Sequence, residues 1–146
     1  MKITKLAFYI PVLILICGCS GRSAGFRSVG DEDITFQAMP AERNVAGAAA
    51  GSFLFRVTPS ATKFEALSVA LKDSLTLSMD SAFKAVIHHR ESPPVFLQSV
   101  PSGVKGTFEF MADFDMKGIK ESDTIELIYR DKYINRKLYR VKTVIQ

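Results

Sequence analysis

The sequence predicts an all-β fold, an antiparallel β-sandwich of about seven or eight strands. Two observations carry that expectation. Apolar residues recur at every second position in short runs, the mark of half-buried strands, and clusters rich in Gly, Pro, Asn, Asp and Ser separate those runs. A third observation bounds the size. Of 146 residues, an 18-residue leader described below is set aside, which leaves 128. That length suits one domain with a sizeable core.

The runs follow in order along the chain. Ile34, Phe36 and Ala38 alternate with Thr35 and Gln37, and Phe53, Phe55 and Val57 alternate with Leu54 and Arg56. Leu67, Val69 and Leu71 continue in phase with Leu75, Leu77 and Met79 across Lys72-Asp73-Ser74, which reads as one bent strand or two tightly joined ones. Phe64, Leu67 and Leu71 also fall at helical spacing, so a helix over 64–72 is the alternative. Phe83, Ala85 and Ile87 form a short run, and Pro93-Pro94 forces a break before the segment Val95 to Val100. Phe108, Phe110, Ala112, Phe114 and Met116 give the most regular strand, with an aromatic inner face. Ile125, Leu127 and Tyr129 make the next, and Tyr139, Val141, Thr143 and Ile145 the last. A polar loop around Asp131-Lys132 and Asn135-Arg136 separates these two. Such a count fits an immunoglobulin-like or transthyretin-like sandwich, without the Trp and cysteine pair of antibody domains. The small-residue stretch Ala46 to Gly51 reads as a loop or a tight strand entry.

The first nineteen residues set the address. Met1 to Lys5 hold two lysines and no acid, and Leu6 to Ile16 are apolar apart from Pro11. A charged start and a short apolar run are the pattern of an export signal, too short for the roughly 20 residues of a membrane span. The run ends Ile16-Cys17-Gly18-Cys19, which resembles the lipobox of bacterial lipoproteins, with Cys17 where Ala, Ser or Thr is more usual. The resemblance implies removal of residues 1–18 and lipid on Cys19, hence a membrane anchor. Ser20, in place of the Asp that marks inner-membrane retention, implies the outer membrane, with the domain facing the periplasm. Residues 19–33 read as lipidated N-terminus and tether, spanning roughly 20 Å on average as a flexible chain, and residues 34–146 as the single sandwich domain.

Composition narrows the function. The 19 basic residues include Lys2 and Lys5, so 17 remain against 15 acidic ones after the cut. A nearly balanced exported chain lacks the electrostatic footprint of a nucleic-acid binder. Cys19 would be the only cysteine left, so neither a disulfide within the chain nor a thiol for catalysis or metal binding is expected. His88 and His89, the only histidines, read as a solvated strand end beside Arg90 and Glu91. Neighbours on a strand point to opposite faces and do not chelate one ion together. Asp113 and Asp115 read as a solvated strand face. No phosphate loop, zinc spacing or nucleophile elbow is present. We therefore expect no enzyme activity, no cofactor and no metal.

The candidate partner surface lies near the C-terminus. Arg130, Lys132, Arg136, Lys137, Arg140 and Lys142 gather there with Tyr129, Tyr133 and Tyr139 interleaved, against the single acid Asp131. A hairpin here would present a basic, tyrosine-rich edge, and Tyr and Arg are enriched at binding hot spots. Tyr129, Tyr133, Arg136, Tyr139 and Arg140 are the expected contact residues. In general architecture, anchor plus one small sandwich, the chain resembles lipoprotein subunits that dock envelope-spanning assemblies such as type VI secretion machines. That likeness implies a scaffolding or binding role toward an envelope protein. The alternative is a lipoprotein that binds a small ligand, a glycan or a peptide.

Overall fold

The computed structural model describes residues 25–41, 50–120 and 122–145. The leader, the lipobox segment through Cys19 and Ala46 to Ala49 lie outside the described residues. Among the described residues nine strands and two helices form, in the order β1 (Arg27–Gly30), β2 (Ile34–Pro40), β3 (Ala50–Pro59), α1 (Ala61–Ala66), α2 (Val69–Leu77), β4 (Phe83–Ile87), β5 (Arg90–Ser92), β6 (Phe96–Val100), β7 (Phe108–Asp115), β8 (Thr124–Arg130) and β9 (Leu138–Val144). One sheet runs β1-β2-β3-β7-β6 and the other β5-β4-β8-β9, every pairing antiparallel. Without β1, these orders are those of strands A-B-E-D and C′-C-F-G in an immunoglobulin-type sandwich. Of the two topologies considered from sequence, the immunoglobulin-like one is observed.

Alternation explains the layering. Ile34, Phe36, Ala38, Phe53, Phe55, Val57, Phe110, Ala112 and Phe114 point inward from the first sheet, and all are buried. Phe83, Ala85, Ile125, Leu127, Tyr129, Tyr139 and Val141 meet them from the second. Small alanines opposite large rings let the aromatics interleave, and Phe55 stacks on Phe83 with centroids 4.8 Å apart.

Three expectations are corrected. Residues 67–79 form no strand: Ser60 and Ser68 cap α1 and α2 by accepting the N–H groups of Lys63 and Leu71, and the chain breaks at Leu67 between them. The alternative, one helix over 64–72, fails at the same break. The fold also starts before Ile34, because Arg27–Gly30 pairs with Thr35 to Ala38 as β1. The described part of the expected tether is thus built into the sheet. Two short strands, β1 and β5, raise the count to nine.

Asp31 secures this added strand. Its Oδ1 accepts the N–H groups of Asp33 (2.9 Å) and Ile34 (3.0 Å), closing the β1–β2 turn. A side chain at Gly30 would meet the Ile34 carbonyl at 2.7 Å, so this turn needs glycine. Asp31 Oδ2 takes the Lys137 ammonium (2.7 Å) and the Tyr139 hydroxyl (3.0 Å), joining the β1 edge of one sheet to β9 of the other. Lys137 above all, with the two N–H groups and Tyr139, holds the Asp31 carboxyl well below the usual carboxylate range despite some burial. A pKa lower in the folded state than the roughly 3.9 of an unfolded Asp stabilises fully above that value. The contribution is lost as pH falls toward the folded pKa. We expect the Asp31→Asn variant to show a shallower loss of stability on acidification, read as urea midpoints between about pH 2 and 6.

The ends of the sandwich differ. Gly30, Pro59, both helices and the β8–β9 loop lie at one end, where the Tyr133 hydroxyl donates to the Ser78 carbonyl. Arg27 pairs with Ala38 as β2 runs on to Pro40 and β3 begins at Ala50 opposite Asp115. β1 therefore begins toward the opposite end, which carries the β7–β8 loop and the β4–β5 turn.

Candidate functional site

The expected tyrosine edge does not form as a surface. Tyr129 is 0% exposed and Tyr139 5%. Both lie on the inward phase of their strands, stacked with centroids 5.9 Å apart. Tyr129 is tied to Asp131, which is buried and accepts its hydroxyl at 2.8 Å. The same carboxylate accepts the main-chain N–H groups of Ile134 (2.8 Å), Asn135 (2.6 Å) and Arg136 (2.8 Å), which organises the loop between β8 and β9. Arg136 is exposed with φ 60°, and Tyr133 is half-buried. Arg140 is exposed on the outer face of β9 and pairs with Glu126 at 2.5 Å. Of the five expected contact residues, only Arg136 and Arg140 are exposed, and Arg140 is engaged with Glu126. Burial of Tyr129 and Tyr139 removes them from any direct contact.

A different feature gathers polar side chains. At the end toward which β1 begins, a cleft of about 360 Å³ is lined by Val86, His88, His89, Ile119, Asp123, Thr124, Glu126 and Lys142. Its floor is a cross-strand row, Val86 opposite Glu126 and Glu126 opposite Lys142, on the outer face of the second sheet. Directly opposed residues stand about 5 Å apart at Cβ, so an apolar, an acidic and a basic side chain lie abreast. Two turns in the β7–β8 loop, Ile119 N–H to Met116 and Asp123 N–H to Lys120, bring Ile119 and Asp123 to the rim. Asp123 Oδ2 accepts the Lys120 N–H at 2.8 Å.

The histidines form the opposite rim, which differs from the strand end expected for them. Ile87 pairs with Arg90, so His88 and His89 are the two central residues of a hairpin turn. Their φ values are 47° and 63°. Positive φ at both centres is the signature of a type I′ turn, which favours Asn-Gly. A non-glycine residue in this region carries strain of about 1–2 kcal/mol, less where the side chain is Asn. Turning back on itself, the chain brings both imidazoles to one cleft. Both are exposed, and neither makes a hydrogen bond or ion pair within the described residues. Replacing the pair together, His88→Asn with His89→Gly, should raise stability by about 1–2 kcal/mol. A higher urea midpoint at unchanged m-value checks it.

The aspartates of β7 have separate tasks. Asp113 accepts the Ser52 hydroxyl at 2.6 Å, and exposed Asp115 accepts the Lys117 N–H at 3.0 Å. Among the described residues no group of three or more His, Cys, Asp or Glu side chains is placed to hold a metal ion. Nor is any described helix long and apolar enough to cross a membrane. Sequence reading overlooked Asp123, Glu126 and Lys142 as a group, because β8–β9 pairing and the β7–β8 turns assemble them. A search against protein-family models, curated proteins and solved structures finds nothing similar to this chain.

Proposed function

We propose that the chain is a lipid-anchored, non-catalytic binding module of the bacterial cell envelope, held at the outer membrane and facing the periplasm. The observation that supports this most is the direction of β1. Its first residue, Arg27, follows Cys19 by eight positions, and β1 runs from the cleft end toward the far end. Eight extended residues span at most about 28 Å. A lipid on Cys19 would therefore keep the sandwich within roughly its own length of the bilayer, cleft end nearer. The cleft favours the small-ligand form of this reading. Its carboxylates are engaged in holding the fold, Glu126 with Arg140 and Asp123 with the Lys120 N–H, which suits recognition better than proton transfer. A protein partner, as in an envelope-spanning assembly, would instead meet the exposed cations Arg130, Arg136 and Arg140.

The Cys19→Ala variant tests the anchor. We expect it to move from the membrane fraction to the soluble fraction of envelope extracts from the native host, with urea stability unchanged. Mass spectrometry of the wild-type N-terminus should find acylated Cys19. An unmodified Cys19, or membrane association that survives the substitution, would overturn the anchored reading.

A further inference from the structure

We infer that the cleft between the His88-His89 turn and the β7–β8 loop binds a zwitterionic phosphate ester, a phosphate with an ammonium two carbons away, supplied by an ethanolamine phospholipid headgroup. The charges of the lining carry the chemistry. Lys142, Thr124 and the two imidazoles offer donors to a phosphate, while Asp123 and Glu126 offer acceptors to an ammonium. A bare anion entering the cleft would meet two carboxylates, and a bare cation would meet Lys142. Glu126 also pairs with Arg140, and a ligand carrying both charges finds an opposite charge for each. Val86 and Ile119 supply apolar surface for the carbon bridge, and about 360 Å³ admits a headgroup with water around it.

Two further observations point to a ligand. The histidines are held at positive φ where Asn-Gly would relax the turn, and local strain that a fold retains tends to mark a working site. Neither ring has a hydrogen-bond or ion-pair partner among the described residues, and His88 stands beside Gly118, where a Cβ would lie 3.8 Å from its Nε2. The turn therefore presents two solvent-exposed imidazoles at the end of the sandwich where β1 begins. The headgroup source rests on the anchored reading above; the ligand chemistry does not.

The full chain, purified in a detergent free of phosphate, is titrated with O-phosphoethanolamine while the imidazole resonances are followed by NMR. His88 and His89 are the only histidines, so assignment is direct. Saturable shifts of both rings are expected, with affinity at least about tenfold weaker in Lys142→Ala, read from the same rings, and in the double variant His88→Asn, His89→Gly, read from the main-chain amide resonances of Thr124 and Glu126 that the wild-type titration calibrates. The double variant has a relaxed turn, so its loss of binding would not reflect unfolding. No saturable binding, undiminished affinity in both variants, or equal affinity for inorganic phosphate or for ethanolamine alone would overturn the proposal. Bicelles then separate the sources. Shifts with phosphatidylethanolamine and none with phosphatidylglycerol support the headgroup, whereas equal shifts in both overturn that source. Repeating the soluble titration on Cys19→Ala keeps the questions apart: retained binding with an unlipidated wild-type N-terminus contradicts the anchor and leaves the ligand class standing.

Discussion

Asp131→Ala is expected to cost about 3–5 kcal/mol of unfolding free energy, a large part of what a domain of this size possesses. The carboxylate is 2% exposed and serves at once the Tyr129 hydroxyl and the N–H groups of Ile134, Asn135 and Arg136. Alanine would leave a buried hydroxyl and four main-chain donors, Tyr133 N–H among them, without their acceptor, and each orphaned buried group costs about 1–3 kcal/mol unless water reaches it. Burial by itself would raise this carboxyl's pKa. The Arg136 and Asn135 N–H groups, the Tyr129 hydroxyl and the Ile134 N–H outweigh it and pull the pKa below the ordinary value. Its contribution is thus complete near neutrality and, like that of Asp31, lost as pH falls below about 4. Tyr129 responds in the opposite sense, burial and then the neighbouring negative charge pushing its hydroxyl far above the usual range, so it stays a donor. Tyr129→Phe, which removes one hydrogen bond and keeps the ring, should cost only about 1 kcal/mol. Urea unfolding of the three proteins checks the order.

Phe83→Ala should cost a similar amount, about 3–5 kcal/mol, for a different reason. Phe83 is fully buried where the sheets meet, with ring centroids 4.8 Å from Phe55, 5.1 Å from Phe110, 5.4 Å from Tyr129 and 6.4 Å from Phe36. Those four rings are themselves fixed by two sheets, so the cavity cannot collapse cheaply. Phe83→Leu keeps most of the volume and should lose less than about 1.5 kcal/mol. Because Tyr129 touches both Phe83 and Asp131, the two alanine variants should not be additive. A double-mutant cycle is expected to show a coupling above about 0.5 kcal/mol.

Period-two alternation made most of the sandwich readable in the sequence, since inward faces such as Phe108 to Met116 repeat without interruption. It was weakest where strands are short and carry no apolar rhythm. β1 is Arg-Ser-Val-Gly and β5 is Arg-Glu-Ser, and both owe their form to pairing with β2 and β4. The segment 67–79 misled because its apolar residues satisfy both periods, and the deciding signals were the capping serines Ser60 and Ser68. For the candidate surface, the same alternation held the answer: Tyr129 shares the phase of Ile125 and Leu127, and Tyr139 that of Val141. Clustered charge drew attention away from that phase. The cleft was hidden for a physical reason, since His88, Asp123 and Lys142 meet only once four elements are folded together.

If lipid on Cys19 holds the sandwich with its cleft end nearer the bilayer, the two ends stand at different distances from the membrane, and those distances can be measured. With residues 1–18 removed and Cys19 acylated, a cysteine introduced elsewhere would be the only free thiol. Lys117→Cys labels the exposed β7–β8 loop beside the cleft, and Leu77→Cys labels the far end, where residue 77 is 76% exposed next to the Ser78 carbonyl that holds Tyr133. Each lipidated protein is reconstituted with nitroxide-bearing lipid, and the quenching of a fluorophore on the thiol is recorded. Strong quenching is expected at position 117 and weak quenching at position 77. Equal quenching at both, or the reverse order, would contradict that orientation.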